Sequence, residues 1–389
     1  MKKAPSPLVS LIPIVVLVLL LFATIRTFGS DALSGGSQVS LLTTTAICIL
    51  IGMVFYKIPW KDYELAITNN IAGVATAIII LLIIGALSGI WMISGVVPTL
   101  IYYGMQIIHP SFFLASTCII CALISVMTGS SWTTIATIGI ALMGIGKAQG
   151  FEDGWIAGAI ISGAYFGDKI SPLSETTILA SSITDTPLFR HIRYMMITTV
   201  PSLIITLIIF TVAGLSHDAS NTQHIAEVAT ALNEKFHITP WLLIVPVATG
   251  ILIARKVPSI VTLFLSTLLA GVFALIFQPE LLQEISGVAV SGFHSLFKGL
   301  MMTVYGATNL HTDNAVLTDL IATRGMAGMM NTIWLILCAM CFGGAMTASG
   351  MLGSITSIFV RFMKKTVSVV GATVCSGLFL NLTTADQYI

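Results

Sequence analysis

Ten apolar runs of near-spanning length dominate this sequence, at 8–25, 39–56, 71–90, 112–128, 155–167, 192–214, 238–254, 260–277, 332–347 and 366–380. A helix needs about 20 apolar residues to cross the hydrocarbon core of a bilayer. The expected fold is an all-α polytopic integral membrane protein with about ten transmembrane helices. The shorter runs, with a further stretch at 96–108, read as tilted, re-entrant or broken segments. Composition supports this: 56% of the 389 residues are hydrophobic, only 8% are charged, and mean hydropathy is +0.99. A soluble domain carries roughly 25% charged residues. A net charge of +1 gives no electrostatic footprint for nucleic acid.

The chain starts with Lys2 and Lys3 ahead of its first apolar run, and no small-residue cleavage site follows that run. It reads as a retained helix rather than a removed leader. Eleven cations then fall at segment ends that alternate to one side: Lys2, Lys3, Lys57, Lys61, Arg190, Arg193, Arg255, Lys256, Arg361, Lys364 and Lys365. Arg26 and Lys235 fall on the other side. Positive charge accumulates on the cytoplasmic face, so the expected N-terminus is cytoplasmic. The longest polar loop, 217–237, then faces outward.

Six cysteines include two C-x-x-C pairs, Cys118/Cys121 and Cys338/Cys341. That spacing can bind zinc. Both pairs sit in apolar helical runs with no histidine close in sequence, so packing between membrane helices is the expected role.

The stretch Gly163–Ser182 (GAYFGDKISPLSETTILASS) breaks the apolar rule most sharply. It closes an apolar run with Asp168 and Lys169, places Pro172 before Glu175, and carries six hydroxyls: Ser171, Ser174, Thr176, Thr177, Ser181 and Ser182. Ionisable residues at membrane depth are costly and mark ion paths. A sodium ion wants about five or six hard oxygen ligands, commonly with one carboxylate among them. Pro172 removes a backbone donor and pushes Ser171 out of the helix, which frees carbonyls a turn earlier. Burial favours the neutral form of any carboxylic acid, so one such group can hold a proton or a cation but not both. Asp168 is the expected shared carboxylate, with Ser171, Glu175 and Thr176 as supports and Pro172 as the helix break. The structural alternative is that Asp168 pairs with Lys169 or another lysine at a helix end. Asp185, between Thr184 and Thr186, reads instead as a solvated cap.

Two more stretches interrupt the pattern. TGSSWTTIAT at 128–137 has six hydroxyls in ten residues, and Thr128, Ser130 and Ser131 are candidate oxygen ligands. The other, YGATNLHTDN at 305–314, is polar and helix-averse. Both read as broken or re-entrant segments, which survive in a membrane only when buried in protein or lining a wet cavity. Near the end, Asn381, Thr384 and Asp386 repeat the mix of amide, hydroxyl and acid as a second ligand source.

A faint internal echo relates Gly85-Ala-Leu-Ser-Gly to Gly344-Ala-Met-Thr-Ala at an offset of 259. It suggests one membrane transport domain over 1–389, built from inverted repeats at about 39–214 and 238–389. The same offset puts the counterpart of Asp168 beyond residue 389, so the second repeat is expected to be incomplete.

The segment GAYFGDKISPLSETT closely resembles the signature of the NhaC family of sodium/proton antiporters, in the ion-transporter superfamily. TGSSWTTIATIGIALMGIG, Arg324-Gly-Met-Ala-Gly-Met, Phe342-Gly-Gly-Ala and the terminal ADQY resemble that family too, in order from about Gly85 to the end. The resemblance implies a secondary active transporter exchanging Na+ for H+, with no cofactor and no enzymatic reaction. Its partners would be sodium ions, protons and the lipid bilayer, with self-association into a homodimer left open. The chain departs from the family where Glu175 replaces the usual Asp, Ile178 a frequent Asn, and Thr347 a common acidic residue. Members usually continue well past ADQY.

Two alternatives stand beside this reading. Some members exchange a dicarboxylate with protons against sodium and lactate, and a carboxylate substrate would want a cation such as Lys169, His311 or Arg324. Tyr165-Phe-Gly-Asp faintly resembles the motif of intramembrane aspartic proteases, which need two facing carboxylates.

Overall fold

The computed structural model describes residues 5–361 apart from 173, 217–221, 289, 291, 309, 311, 313–317 and 319–320, together with 370–371, 373–375 and 377. The described residues form helices and connecting turns, with no strand among them. In chain order the α-helices are α1 Pro7–Phe28, α2 Gly36–Tyr56, α3 Trp60–Gly73, α4 Ala75–Ile93, α5 Val96–Ile107, α6 Phe113–Thr128, α7 Ser131–Thr134, α8 Ile140–Ala148 and α9 Asp153–Ile170. They continue as α10 Glu175–Ile183, α11 Leu188–Leu215, α12 Thr222–Lys235, α13 Ile244–Ala254, α14 Ser259–Phe277, α15 Pro279–Ser286, α16 Phe293–Tyr305, α17 Met330–Ala348 and α18 Met351–Arg361.

Among the described residues, seven helical segments are long and apolar enough to cross a bilayer. The bent pair Glu227–Lys235 and Pro240–Ala254, turned through 91°, makes an eighth. The shorter apolar runs at 96–108 and 155–167 become α5 and α9. The run at 366–380 lies mostly outside the described residues. One expectation changes: the polar loop at 217–237 contains α12. Its Val228, Leu232 and Phe236 recur at helical spacing and are fully or almost fully buried, so the stretch has an amphipathic face that a loop would waste.

The chain forms two compact units, one from residues 1–79 with 329–389 and one from residues 80–328. In the first unit α17 packs along α2 and α3, while α1 lies against α2 and α18. Small residues permit the approach: Gly344 meets the backbone of Ile67, and the Tyr63 hydroxyl rests on Gly52. Cys338 is buried in this packing, and Cys48 lies 3.7 Å from the sulfurs of Met346 and Met351.

The second unit holds the Asp168 stretch. Its central contact joins α6 and α9. Gly163 faces the Cys118 carbonyl, Gly167 the Ala122 carbonyl, and the Ser171 hydroxyl donates to the Val126 carbonyl at 2.8 Å, all at one offset of 45 residues. A constant positive offset means that α6 and α9 run parallel. Glycine is required because a β carbon at Gly163 or Gly167 would collide with the α6 backbone. The Ser125 hydroxyl donates to the Ala164 carbonyl and ties the two helices between those points. Cys118 and Cys121 are fully buried in this seam, consistent with a packing role.

Overpacking a close contact of this kind costs about 1–3 kcal/mol, and more where backbone rather than side chain must move. Gly163→Leu is therefore expected to lower the thermal midpoint of the detergent-purified protein and abolish transport. A wild-type melt would contradict the parallel seam.

Candidate cation site

Parallel packing has a direct consequence for the polar stretches. Because α6 and α9 point the same way in step, their C-terminal ends finish side by side. The α6 helix stops at Gly129, whose φ of +67° is the left-handed conformation that glycine adopts at little cost. Ser130 is extended, and its Oγ accepts from Thr133 N at 3.2 Å, the N-cap bond that starts α7. The chain then turns back through α7, a π-helical turn at Ile135–Gly139, and α8. The stretch at 128–137, expected to be broken or re-entrant, thus breaks the helical run at Gly129 and Ser130 and then returns, with Gly146 beside Phe113 at the start of α6.

The end of α9 is organised by Pro172. Ser171 has an extended ψ of 130°, as a residue preceding proline should, and the helix stops at Ile170. Ser174 then caps α10, its Oγ accepting from Thr177 N at 3.4 Å.

Asp168 lies where these breaks meet. It is 6% exposed, and its Oδ2 accepts a hydrogen bond from Ser131 Oγ at 2.9 Å. Ser131 is the single donor to the Asp168 side chain among the described residues. No ion pair joins Asp168 to Lys169, whose side chain is exposed. The lysine-paired alternative therefore has no support at this helix end. A hydrogen bond to a charged group contributes about 1.5–3 kcal/mol, whereas an ion taken from water loses several kcal/mol of solvation. One hydroxyl does not offset that deficit, and a proton or a cation can.

The remaining predicted ligands divide into groups. Thr128 Oγ1 accepts from Ser130 N at 3.1 Å and lies 3.4 Å from Thr134 Oγ1, so Thr128 and Ser130 stitch the first break together. Ser171 holds α9 to α6 through Val126, and Thr176 Oγ1 pairs with Ser174 Oγ at 2.9 Å. None of Thr128, Ser130 and Thr176 is hydrogen-bonded to Asp168. Glu175 opens α10, and its side chain is outside the description, as are Asn381, Thr384 and Asp386 altogether. Asp185 is exposed, with a left-handed φ of +48° where α10 ends, which fits its reading as a cap. The carbonyls a turn before Pro172 were expected to be freed; there, Asp168 O accepts from Ser171 N at 3.3 Å and Thr177 Oγ1 at 3.4 Å, and Lys169 O accepts from Thr177 Oγ1 at 3.0 Å.

In the other polar interruption α16 ends at Tyr305, and Thr308 pairs with Thr323 through backbone and hydroxyl bonds of 2.9–3.3 Å. No group of three or more His, Cys, Asp and Glu side chains suited to a resident metal occurs among the described residues.

Residues 163–389, which begin at the first glycine of the seam, match the Na+/H+ antiporter family. Over 350 residues the chain is 35% identical to the Na(+)/H(+) antiporter NhaC of Bacillus subtilis, covering 90% of this chain and 74% of that protein. It is 36% identical over 354 residues to the Malate-2H(+)/Na(+)-lactate antiporter of the same organism, covering 90% and 72%. It is 31% identical over 396 residues to the arginine/ornithine antiporter ArcD of Halobacterium salinarum, covering 100% and 77%. No solved structure matches the chain. With two thirds or more of these relatives covered and a family match over more than half its length, the chain belongs to the Na+/H+ antiporter family and is a multi-pass membrane transporter, not an enzyme.

Proposed function

We propose that this protein exchanges sodium for protons through a site centred on the Asp168 carboxylate. One observation carries the reading: among the described residues, Asp168 is the only Asp, Glu, Lys, Arg or His side chain that is buried. A transporter of small cations needs a charge at depth that its substrate can neutralise, and a proton and Na+ compete for the same oxygen atoms. Binding of one excludes the other, so the two fluxes are coupled without a further device. Ser131 orients the carboxylate and holds part of its charge while neither ion is present. Ser171 and the two glycines fix its height relative to the α6 break.

A sodium-linked organic-acid exchange is the second reading, prompted by the malate/lactate relative. A carboxylate substrate needs a positive partner. Lys169 and Arg324 are both exposed, and His311 lies outside the described residues. The buried charge at this site is negative and repels a free carboxylate, which favours the cation reading. We further propose a cytoplasmic N-terminus, on the eleven-to-two distribution of lysine and arginine described above, in a bacterial inner membrane, as its bacterial relatives suggest. The repeat boundaries at 39–214 and 238–389 belong to the same proposal.

Everted vesicles carrying the protein should show sodium-dependent dequenching of a pH dye, and Asp168→Asn should abolish it at wild-type protein levels. Full exchange by that variant would sink the assignment. Sodium-driven dequenching without malate or lactate separates the two readings, since the second requires the acid.

Ser131→Ala should give a subtler result. Removing a donor to the charged carboxylate favours its protonated form, so protons compete better at any given pH. The pH profile of sodium-dependent exchange should move to higher pH, by about one unit for a lost bond of roughly 1.4 kcal/mol. A profile that stays in place would show that the Ser131–Asp168 bond has no part in ion competition.

A further inference from the structure

Pro172 has no N–H, so the Asp168 carbonyl loses the donor that a continuing helix would bring from four residues on. Because α9 stops at Ile170, the Lys169 carbonyl also lies past the end of the regular ladder. Orphan carbonyls at a buried helix end need a partner. Here the Asp168 carbonyl accepts from Ser171 N at 3.3 Å, an N–H it shares with Gly167 O at 3.0 Å, and one hydroxyl, Thr177 Oγ1, lies 3.0 Å from Lys169 O and 3.4 Å from Asp168 O. Thr177 is 3% exposed and sits in the first turn of α10, held by the Ser174 cap. A hydroxyl has one proton to give. Shared between two acceptors, it leaves Lys169 O with this one bond among the described residues and Asp168 O with two long, shared ones, so each carbonyl keeps a lone pair for a cation.

We propose that Thr177 is a ligand of the transported cation and a determinant of the site's affinity, and that its hydroxyl proton fills the cation's place in the ion-free state. This rests on the Asp168 reading above. The spacing supports it. Neighbouring ligands of a hard cation with bonds of about 2.4 Å lie roughly 3.4 Å apart when they subtend a right angle. The separations of Thr177 Oγ1 from the two carbonyl oxygens fall at or a little below that value. Turning the hydroxyl proton away converts a donor into an acceptor and presents three neutral oxygens to one ion. Two of them belong to Asp168 and Lys169, so the set is fixed to the backbone that carries the carboxylate. Ser171 tethers that backbone to Val126, so the oxygens do not drift when the proton leaves.

A purely structural cap would serve folding and leave ion affinity alone, and three variants separate the roles. In proteoliposomes, Thr177→Val keeps the shape and removes the oxygen, Thr177→Ala removes it without adding bulk, and Thr177→Ser restores it. The sodium concentration for half-maximal dequenching should rise at least about tenfold in Thr177→Val and Thr177→Ala, the loss of roughly 1.4 kcal/mol of binding. The rate at saturating sodium should fall by less than about threefold, and Thr177→Ser should return half-saturation to within about threefold of wild type. If Thr177→Val does not reach the membrane, Thr177→Ala carries the test. Wild-type half-saturation in Thr177→Ala, or equal loss of maximal rate in all three variants with half-saturation unmoved, would overturn the proposal. Asp168→Asn runs alongside: if it retains exchange, the parent reading fails, and if it is dead while Thr177→Ala is normal, only the Thr177 role fails.

Discussion

The parallel contact between α6 and α9 is what the rest of the site depends on. Gly163 and Gly167 bring the two backbones within van der Waals reach, and Ser125 and Ser171 each spend a hydroxyl on the neighbouring helix. Close approach through small residues is how helices gain packing energy in a membrane, where no hydrophobic drive separates protein from lipid. Two helices packed in step finish at the same level. Their broken ends therefore meet, and the polar chemistry of both breaks is gathered in one place without a long loop.

What sits there is electrostatically incomplete. A single carboxylate with one hydroxyl donor, and a helix end whose carbonyls rely on the shared Thr177 hydroxyl and Ser171 N–H, form a set with more oxygen than hydrogen. Buried polar groups normally find partners, and an oxygen-rich deficit is what a small cation or a proton relieves. The exposed Lys169 leaves that deficit in place, although it is the next residue along the chain. An internal ion pair would have satisfied Asp168 permanently and left nothing for transport.

Much of this was legible in the residues. Asp168, Ser171, Pro172 and Ser131 stand out because charge, hydroxyls and proline are expensive in an apolar chain. The structure joins Asp168 to Ser131 and gives Ser171 a helix tie. Thr128, Ser130 and Thr176 shared the same composition but turned inward to cap the breaks, since a hydroxyl's local backbone bonds depend on turn geometry that a residue list does not carry. Thr177 was present among the hydroxyls yet unassigned. Its role emerges only when α10 folds back on the end of α9, a tertiary event with no local signature. The pairing of α6 with α9 did have one, the Gly163–Gly167 spacing of four, which becomes informative once the facing helix is known. The 217–237 stretch reads as loop in sequence because its apolar positions are outnumbered by polar ones, although they recur at helical spacing.

The central claim is that one carboxylate serves both ions in turn. The measurement that addresses it most directly is the sodium half-saturation of the unmodified protein in proteoliposomes, followed across pH. If protons and sodium compete for Asp168, half-saturation should rise about tenfold for each unit of acidification below the carboxyl's titration, with no change in maximal rate. Half-saturation independent of pH, with only the maximal rate falling, would mean that the proton and the sodium ion bind at different sites, and the shared-carboxylate account would be wrong.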